Sequence, residues 1–336
     1  MTSADEHSDD NNTDLGRLEG LDIGSDSFVR LDGLSDHNSV VVPVLADDGG
    51  ETIRVVGSAF CIHGSGLWVT ARHVIEDAVS VHRDAPIYLL WAGPETTGPP
   101  PSWLDWDDVP PEAPQRRGAL IPLVGWTKDD NNGSDLALLS AGMVNEDGEP
   151  HVFPVCRLSA RVPRSGKRVR ALGYAAAKVT GDIEDARIRR IALAQGLTVS
   201  QGEVLEVFRE GRDTFRDLDG RPTGALPTVC FETSARFDGG MSGGPVVDAD
   251  GTVCGIVSRG GGTYDRSFAS ATPFLFTLHV PQKQVDPLTV YQLAQAGRVA
   301  VDGYFEQLII TYEENGQGAM NYPCEDDDAT GTEFVN

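Results

Sequence analysis

Short β-branched runs, each ended by glycine, proline or an Asp-Gly pair, dominate the middle of this chain. Examples are SVVVPVLAD at 39–47, TIRVVGSAFCIHGSGLWV at 52–69 and TVCFETSARF at 228–237. Such runs favour strands, because β-branched side chains pack well on a pleated surface and glycine and proline form the turns between strands. The 38 glycines and 20 prolines leave little room for long helices. The sequence therefore predicts an all-β fold.

Changes in composition divide the 336 residues into four segments. The first is acidic and poor in apolar residues, so we expect a disordered arm there. The next two each hold a group of short strands, and the last holds one helix and an acidic tail, of which the final dozen residues are expected to be disordered. The segments are residues 1–36, 37–155, 156–285 and 286–336.

Two local patterns interrupt the strands. Residues 94–118, PETTGPPPSWLDWDDVPPEAPQRRG, contain too much proline for a central strand or a helix and are expected to form a surface loop. Near the C-terminus, Asp286 is placed to cap a helix, with Pro287 at its first position and Gly297 at its end. This pattern predicts one helix of about ten residues.

The charge of the chain, −24, is concentrated at its ends. Residues 1–36 hold ten acidic and two basic side chains, and residues 313–336 hold seven acidic and none basic, so the part between them carries −9. This balance argues against nucleic acid and against an anionic membrane surface as partners. The N-terminus lacks the basic and apolar regions of a secretory signal, and no apolar run is long enough to span a membrane, so we expect a cytoplasmic protein.

The cysteines and histidines give no pattern typical of a metal site. The five cysteines have no C-x-x-C spacing and are expected to be reduced core thiols, in keeping with a cytoplasmic location. Cys61 and His63 are close in sequence, but a single strand accounts for both more simply than a metal does. We expect no metal and no cofactor.

One serine, Ser242, lies among glycines in GGMSGGP at 239–245. The segment satisfies G-x-S-x-G, the nucleophile motif of α/β-hydrolases, but that motif joins a strand to a helix and is followed by its histidine. Here valines and isoleucines follow, and the only later histidine is His279. The other interpretation needs histidine and aspartate before the serine. An ordinary glycine-rich turn is the third.

Candidates for that histidine and aspartate have informative flanks. His73 lies in WVTARHV and Asp135 in SDLALL, and a further segment, GIVSRGG, follows the serine. Together with GGMSGGP these motifs resemble the trypsin-like (chymotrypsin-fold) serine peptidases, in texture their bacterial HtrA-like and glutamyl-endopeptidase-like branches. The resemblance covers about residues 40–285. About 50 residues remain after it, so no PDZ-like domain is expected.

The resemblance implies a fold and a set of roles. Two six-stranded antiparallel β-barrels, followed by the short C-terminal helix, would carry His73 and Asp135 on the first barrel and Ser242 on the second. Ser242 would be the nucleophile, His73 the general base and then acid, and Asp135 the group that orients the imidazole. The N–H groups of Gly240 and Ser242 would stabilise the oxyanion. Each residue alone also has a structural explanation, as a buried histidine or a turn residue.

Substrate contacts are also implied by the resemblance. Ser258, Arg259 and Gly260 would pair with the substrate backbone as an added strand. Arg236, six residues before the serine, would lie near the base of the primary pocket and favour an acidic side chain. In the alternative arrangement Arg236 points to solvent, or Phe237 blocks the pocket.

These patterns predict a serine endopeptidase that cleaves a protein substrate through an acyl-enzyme. By resemblance, a regulated bacterial processing or defence-associated role is expected, with the acidic arm and the proline-rich insertion as candidate contacts for a regulatory protein. The alternative is a catalytically silent interaction module of the same fold. An α/β-hydrolase esterase is disfavoured by the residue order.

Overall fold

Strands dominate the computed structural model of the protein, which confirms the all-β prediction. Within the part of the chain that the structure describes, two short α-helices and three 3-10 turns accompany them, the turns at Asp36–Ser39, Thr272–Thr277 and Phe305–Gln307. The structure describes residues 27–31, 36–47, 53–81, 86–95, 116–128, 133–145, 147–184, 187–194, 196–216, 222–260, 266–281, 287–312, 318–325 and 330–335. Most of the proline-rich insertion therefore lies outside the described residues.

The first half is an open antiparallel sheet. Its strands follow β1 (Phe28–Arg30) and are β2 (Val41–Asp47), β3 (Ile53–His63), β4 (Leu67–Thr70), β5 (Ile87–Glu95), β6 (Arg116–Pro122), β7 (Gly125–Lys128) and β8 (Ala137–Ser140). Helix α1 (Arg72–Val81) joins β4 to β5. The order across the sheet is β6-β5-β2-β3-β4-β8-β7. Among the described residues no pairing closes these seven strands into a ring, so this half is a half-barrel where a closed six-stranded barrel was expected.

The second half contains a closed barrel. Its strands are β9 (Arg168–Gly173), β10 (Lys178–Glu184), β11 (Arg187–Ala194), β12 (Thr198–Phe208), β13 (Arg212–Arg216), β14 (Pro222–Leu226), β15 (Cys230–Thr233), β16 (Pro245–Val247), β17 (Val253–Arg259) and β18 (Ser267–Ala271). The order β12-β15-β18-β17-β16-β9 returns to β12, because β9 also pairs with β12. This ring is the predicted six-stranded antiparallel barrel. Two hairpins, β10–β11 and β13–β14, stand outside it.

Alternation along β3 links the two halves. Successive side chains of a strand point to opposite faces. Ala59 and Cys61 accordingly join the core of the first half. Phe60 and Ile62 join the larger core that also contains the second barrel. One strand therefore packs on both cores and holds the halves together.

The expectation of a disordered arm over residues 1–36 is wrong where β1 forms. Strand β1 lies inside residues 1–36 and pairs with β12, with Phe28 opposite Ser200. Phe28 and Leu31 explain why this segment is ordered, since Leu31 is buried in the larger core and Phe28 packs against that core. The disorder expected for residues 1–26 concerns positions outside the described part of the chain.

The C-terminal segment also departs from its prediction. Helix α2 spans Val290–Gln295, shorter than expected, and its cap is Thr289. Position 286 lies outside the described residues. Thr289 and Gln292 form a reciprocal capping box, which satisfies two N–H groups at the start of the helix. Strands β19 (Ile309–Tyr312), β20 (Gly318–Pro323) and β21 (Thr330–Val335) follow as one antiparallel sheet, so the expectation of a disordered final dozen residues is wrong where β21 forms.

A buried charge cluster fastens this C-terminal segment to the second barrel. Lys167 donates to Glu325 and, at 3.0 Å, to Asp248, and Arg161 pairs with Glu325 at 2.9 Å. Burial opposes the charged form of Lys167, but the hydrogen bonds to the two carboxylates outweigh it and raise the pKa of its ammonium. The backbone N–H of Val162 adds a hydrogen bond to Pro323.

No disulfide links the cysteines: four are buried and Cys324 is half-buried. Burial raises the pKa of Cys254 to about 12 and raises the pKa values of Cys61 and Cys156 far above the usual range. In the described ranges, no group of three or more His, Cys, Asp or Glu side chains is arranged to hold a metal ion. The helices described here are all too short or too polar to cross a membrane.

Candidate active site

His73 and Asp135 are joined at the start of α1. His73 lies in the first turn of the helix, and Asp135 comes two residues before β8. The His73 ring Nδ1 lies 2.8 Å from Asp135 Oδ2 and 3.0 Å from Oδ1. The backbone N–H of His73 also donates to Oδ1, at 3.0 Å. Because first-turn N–H groups have no partner within a helix, the same carboxylate caps α1 and orients the ring.

This geometry fixes the proton on the ring. A carboxylate beside Nδ1 favours the tautomer with Nδ1–H, which leaves a lone pair on Nε2. Burial disfavours the imidazolium, but the hydrogen bond and charge of Asp135, with the charge of Asp77, prevail and raise the pKa of His73. The charge of Arg259 opposes this increase. The ring can therefore accept a proton at Nε2 and be stabilised once charged.

The loop that carries Ser242 is shaped by glycine. Gly240 and Gly243 adopt φ of 95° and 84°, in the left-handed region that side chains other than glycine rarely enter. A Cβ on Gly240 would lie 2.4 Å from the carbonyl oxygen of Tyr174, and one on Gly243 would lie 2.3 Å from that of Ser58. The glycines around Ser242 thus allow both the bend and a close approach to neighbouring backbone.

The Ser242 loop packs directly on the first half of the molecule. The Ser242 carbonyl accepts a hydrogen bond from the backbone N–H of Ser58 in β3, at 2.8 Å. A Cβ on Gly57 would lie 2.9 Å from that carbonyl oxygen and 2.6 Å from a methyl of Val74. Ser242 and the residue after His73 therefore flank the same glycine. Among the described residues no hydrogen bond joins the Ser242 hydroxyl to the His73 ring, as is common before substrate binds.

The N–H groups of Gly240 and Ser242 point away from the hydrogen bonds that hold the preceding carbonyls. The Gly239 carbonyl accepts from the N–H of Ala176 at 2.7 Å, and the Met241 carbonyl accepts from that of Gly244 at 2.9 Å. In a planar trans peptide the C=O and the next N–H point in opposite directions. The N–H groups of Gly240 and Ser242 must point away from these contacts, and in the described structure neither donates to a protein acceptor. This is the arrangement an oxyanion hole requires.

The residues expected to pair with substrate lie at the end of β17. Ser258 is buried, and its hydroxyl lies 2.8 Å from that of Ser270. The Arg259 charge acts on the His73 ring, so the end of this strand lies near the histidine. Gly260 is exposed, and a Cβ there would lie 2.2 Å from Phe237 Cβ. Phe237 itself is buried, so the two segments are in close contact.

Arg236 is exposed and already has an anionic partner. Its side chain is 66% exposed, and its guanidinium makes two hydrogen bonds to Asp238, of 2.7 and 2.8 Å. It also lies over the Phe28 ring, 4.9 Å from the ring centre. A preference for acidic substrates, inferred from Arg236, stays a prediction, and Asp238 neutralises much of the charge that it needs.

Two contributors to the loop were not found from the sequence. Ser58 lies in β3 and Ala176 follows β9, both far from GGMSGGP along the chain. No local pattern marks either residue. Helix α1 was also missed, although Val74, Ile75, Ala78 and Val79 show helical spacing.

The second half is a closed antiparallel barrel that carries a glycine-flanked serine. The first half is a half-barrel that carries a His–Asp pair. This combination defines the class of chymotrypsin-like β proteins. A family model described as the trypsin-like peptidase domain matches residues 57–256. The chain therefore belongs to the trypsin-like peptidase family.

Solved structures and curated proteins were also compared with the chain. The MamO protease domain from Magnetospirillum magneticum is 18% identical, with a TM-score of 0.45 over 70% of this chain and 94% of that chain. Deg5 is 20% identical, with a TM-score of 0.40 over 70% of this chain and 85% of that one. No curated protein matches the chain.

Proposed function

We propose that the protein is a serine endopeptidase that uses Ser242, His73 and Asp135 and passes through an acyl-enzyme. Ser242 Oγ attacks the scissile carbonyl carbon while His73 Nε2 takes its proton. The resulting oxyanion is stabilised by the N–H groups of Gly240 and Ser242. When the C–N bond breaks, the imidazolium returns the proton to the leaving amine. Water then hydrolyses the ester by the same steps in reverse.

The observation that carries this proposal over the silent module is the orientation of the loop. A module without catalytic function has no need of two hydrogen-bonded carbonyls, of Gly239 and Met241, turned away from Gly240 N–H and Ser242 N–H. A collapsed loop would turn one of these donors to a protein acceptor. The hydrogen bonds from Ala176 and Gly244 support the open form.

A fluorophosphonate probe tests the proposal, because it reacts only with an activated serine. We expect the protein to be labelled and Ser242→Ala to lose all labelling. Ser234→Ala is the matched control, since Ser234 is an exposed serine in the same half. If the folded wild-type protein is not labelled, with or without candidate partners, the interaction module is the better interpretation.

The substrate class in this proposal is a protein segment bound in extended form beside Ser258, Arg259 and Gly260. The acidic preference can be tested with two peptides that differ only in an acidic or a neutral residue before the cleaved bond. If Arg236 sets the preference, Asp238→Asn raises the acidic-to-neutral ratio of kcat/KM and Arg236→Ala lowers it. A ratio that both variants leave unchanged removes Arg236 from the substrate site.

A cytoplasmic location and a regulated processing or defence role belong to the same proposal. Cysteines held as thiols are what a reducing compartment maintains, which supports the location. The acidic residues 1–36 are the candidate contact for a regulatory partner. Protein N-termini compared between cells with the active form and cells with Ser242→Ala would identify the substrate, and a cell fractionation would test the location.

A further inference from the structure

Ser58 carries a buried hydroxyl at the junction of the two halves. The residue is fully buried in β3, on the first half. Its hydroxyl donates to the Gly240 carbonyl at 2.8 Å and accepts from the Tyr174 N–H at 3.0 Å. Both partners lie on the second half, 182 and 116 residues away. A buried hydroxyl that satisfies two backbone groups at once fixes them relative to each other.

The backbone of Ser58 holds a second point of the same loop. Its N–H donates to the Ser242 carbonyl at 2.8 Å, and its own carbonyl accepts from Thr70 Oγ1 at 2.7 Å. Four successive loop carbonyls are thus anchored, from Gly239 to Ser242. Ser58 holds the second and fourth, while Ala176 N–H and Gly244 N–H hold the first and third.

The hydroxyl also supports the anchor on the opposite side of the loop. The Ser58 hydroxyl accepts a hydrogen bond from the N–H of Tyr174. Tyr174 begins the turn in which the N–H of Ala176 donates to the Gly239 carbonyl. Ala176 has φ of 49°, a strained value for alanine that persists only when neighbouring contacts impose it. Loss of the hydroxyl would therefore loosen the loop at Gly240 and the turn that orients Gly239.

From these contacts we propose that Ser58 is a positioning residue that aims the N–H groups of Gly240 and Ser242 at the oxyanion. It touches no substrate and acts only through the loop. This inference rests on the proposed peptidase function. It adds that the first half supplies one support of the oxyanion hole as well as the histidine and aspartate.

The test is Ser58→Ala, with Ser159→Ala as the matched control. Ser159 is as buried as Ser58, and its hydroxyl also accepts one N–H, of Arg161 at 3.2 Å, and donates to Asp302 at 2.7 Å, with the Arg161 carbonyl oxygen as a second acceptor at 3.3 Å. Similar losses of stability are expected in both variants. We expect Ser58→Ala to lower kcat about 10- to 100-fold, since small misplacements of reacting groups have such effects. Its KM should stay within about threefold, because the lost interaction acts in the transition state.

Hydrogen–deuterium exchange of the two variants gives a readout that does not need activity. Segments 174–177 and 238–244 should exchange faster in Ser58→Ala and not in Ser159→Ala. If Ser58→Ala exchanges as slowly as the wild type in these segments, the proposal is overturned. It is also overturned if the wild type is active and Ser58→Ala has the same kcat. If the fluorophosphonate probe does not label the wild type, the peptidase function fails, and exchange alone decides whether Ser58 holds the loop.

Ser58→Cys covers the case in which Ser58→Ala does not fold. A thiol has nearly the same shape but is a weak donor. The same two measurements then apply, with a smaller loss of kcat and faster exchange expected. Wild-type kcat and exchange in a folded Ser58→Cys would overturn the proposal.

Discussion

Gly243→Ala should destabilise the protein strongly, because the new methyl group would clash with neighbouring atoms. The loss should exceed that of an alanine placed at another glycine with positive φ whose surroundings are open. Gly243 has φ of 84°, and its Cβ would lie 2.1 Å from Thr70 Oγ1, 2.3 Å from the Ser58 carbonyl oxygen and 2.8 Å from Ala71 N. Two of these three atoms belong to backbone, which cannot rotate away. The new methyl would have to push the Ser242 loop off the first half.

The magnitude follows from two terms. A left-handed backbone conformation costs an L-residue about 1–2 kcal/mol. Overpacking in a close-packed region costs about 1–3 kcal/mol more. Gly243→Ala should therefore lower the free energy of unfolding by about 2–5 kcal/mol.

Two controls separate these terms. Gly166 has φ of 79° with no neighbour within 4 Å of its Cβ position, so Gly166→Ala should lose only the conformational term, about 1–2 kcal/mol. Gly239 has neither a positive φ nor a neighbour, so Gly239→Ala should be neutral or slightly stabilising. Urea denaturation of the three variants measures the differences, provided that the slope m is unchanged. If Gly243→Ala loses no more than Gly166→Ala, the close contact between the loop and the first half is refuted.

Three further outcomes are expected. The kcat/KM of the protein should rise with pH as His73 loses its proton, with a midpoint above the usual value of about 6.5, because the raised pKa keeps the base protonated to higher pH. Asp135→Asn should move that midpoint down and lower kcat about 10⁴-fold, since the ring would lose both its partner charge and its tautomer; a pH–rate profile of each form checks both. Lys167→Met should lower the free energy of unfolding by about 3–5 kcal/mol, because the buried Asp248 would lose its paired cation while Glu325 keeps Arg161. In the same urea experiment the exposed Lys178→Met should change stability by less than about 0.5 kcal/mol.

The strands of the second half and the candidate His–Asp pair were predictable because their signals are local, whereas the barrel itself was implied by the family resemblance. The β-branched runs predict strands, and WVTARHV and SDLALL place His73 and Asp135 in recognisable flanks. The structure confirms the barrel and brings these two side chains to 2.8 Å. The C-terminal helix was also a local signal, but its cap was assigned wrongly: Thr289 and Gln292 carry the capping-box spacing that Asp286 and Pro287 obscured.

What the sequence could not give depends on contacts between distant segments. Ser58 resembles any serine in a strand, and only folding brings its hydroxyl to Gly240, 182 residues away. The pairing of Arg236 with Asp238 is local but depends on side-chain direction, which a one-dimensional pattern does not contain. Whether the first sheet closes into a barrel depends on whether its two edge strands pair. That pairing depends on how all the strands of this half are arranged, which no local pattern contains.

The buried cysteines can report on transient opening of the folded protein, because they react only when their core is exposed. The thiolate is the form of cysteine that attacks an alkylating reagent, and with the pKa of Cys254 raised to about 12 and that of Cys156 also far above normal, almost no thiolate exists in the native state near neutral pH. Iodoacetamide should thus modify these positions only during transient excursions that expose each core. Because Cys61 lies in the core of the first half and Cys254 in that of the second, mass spectrometry of the modified peptides would show whether the two halves open together or one at a time.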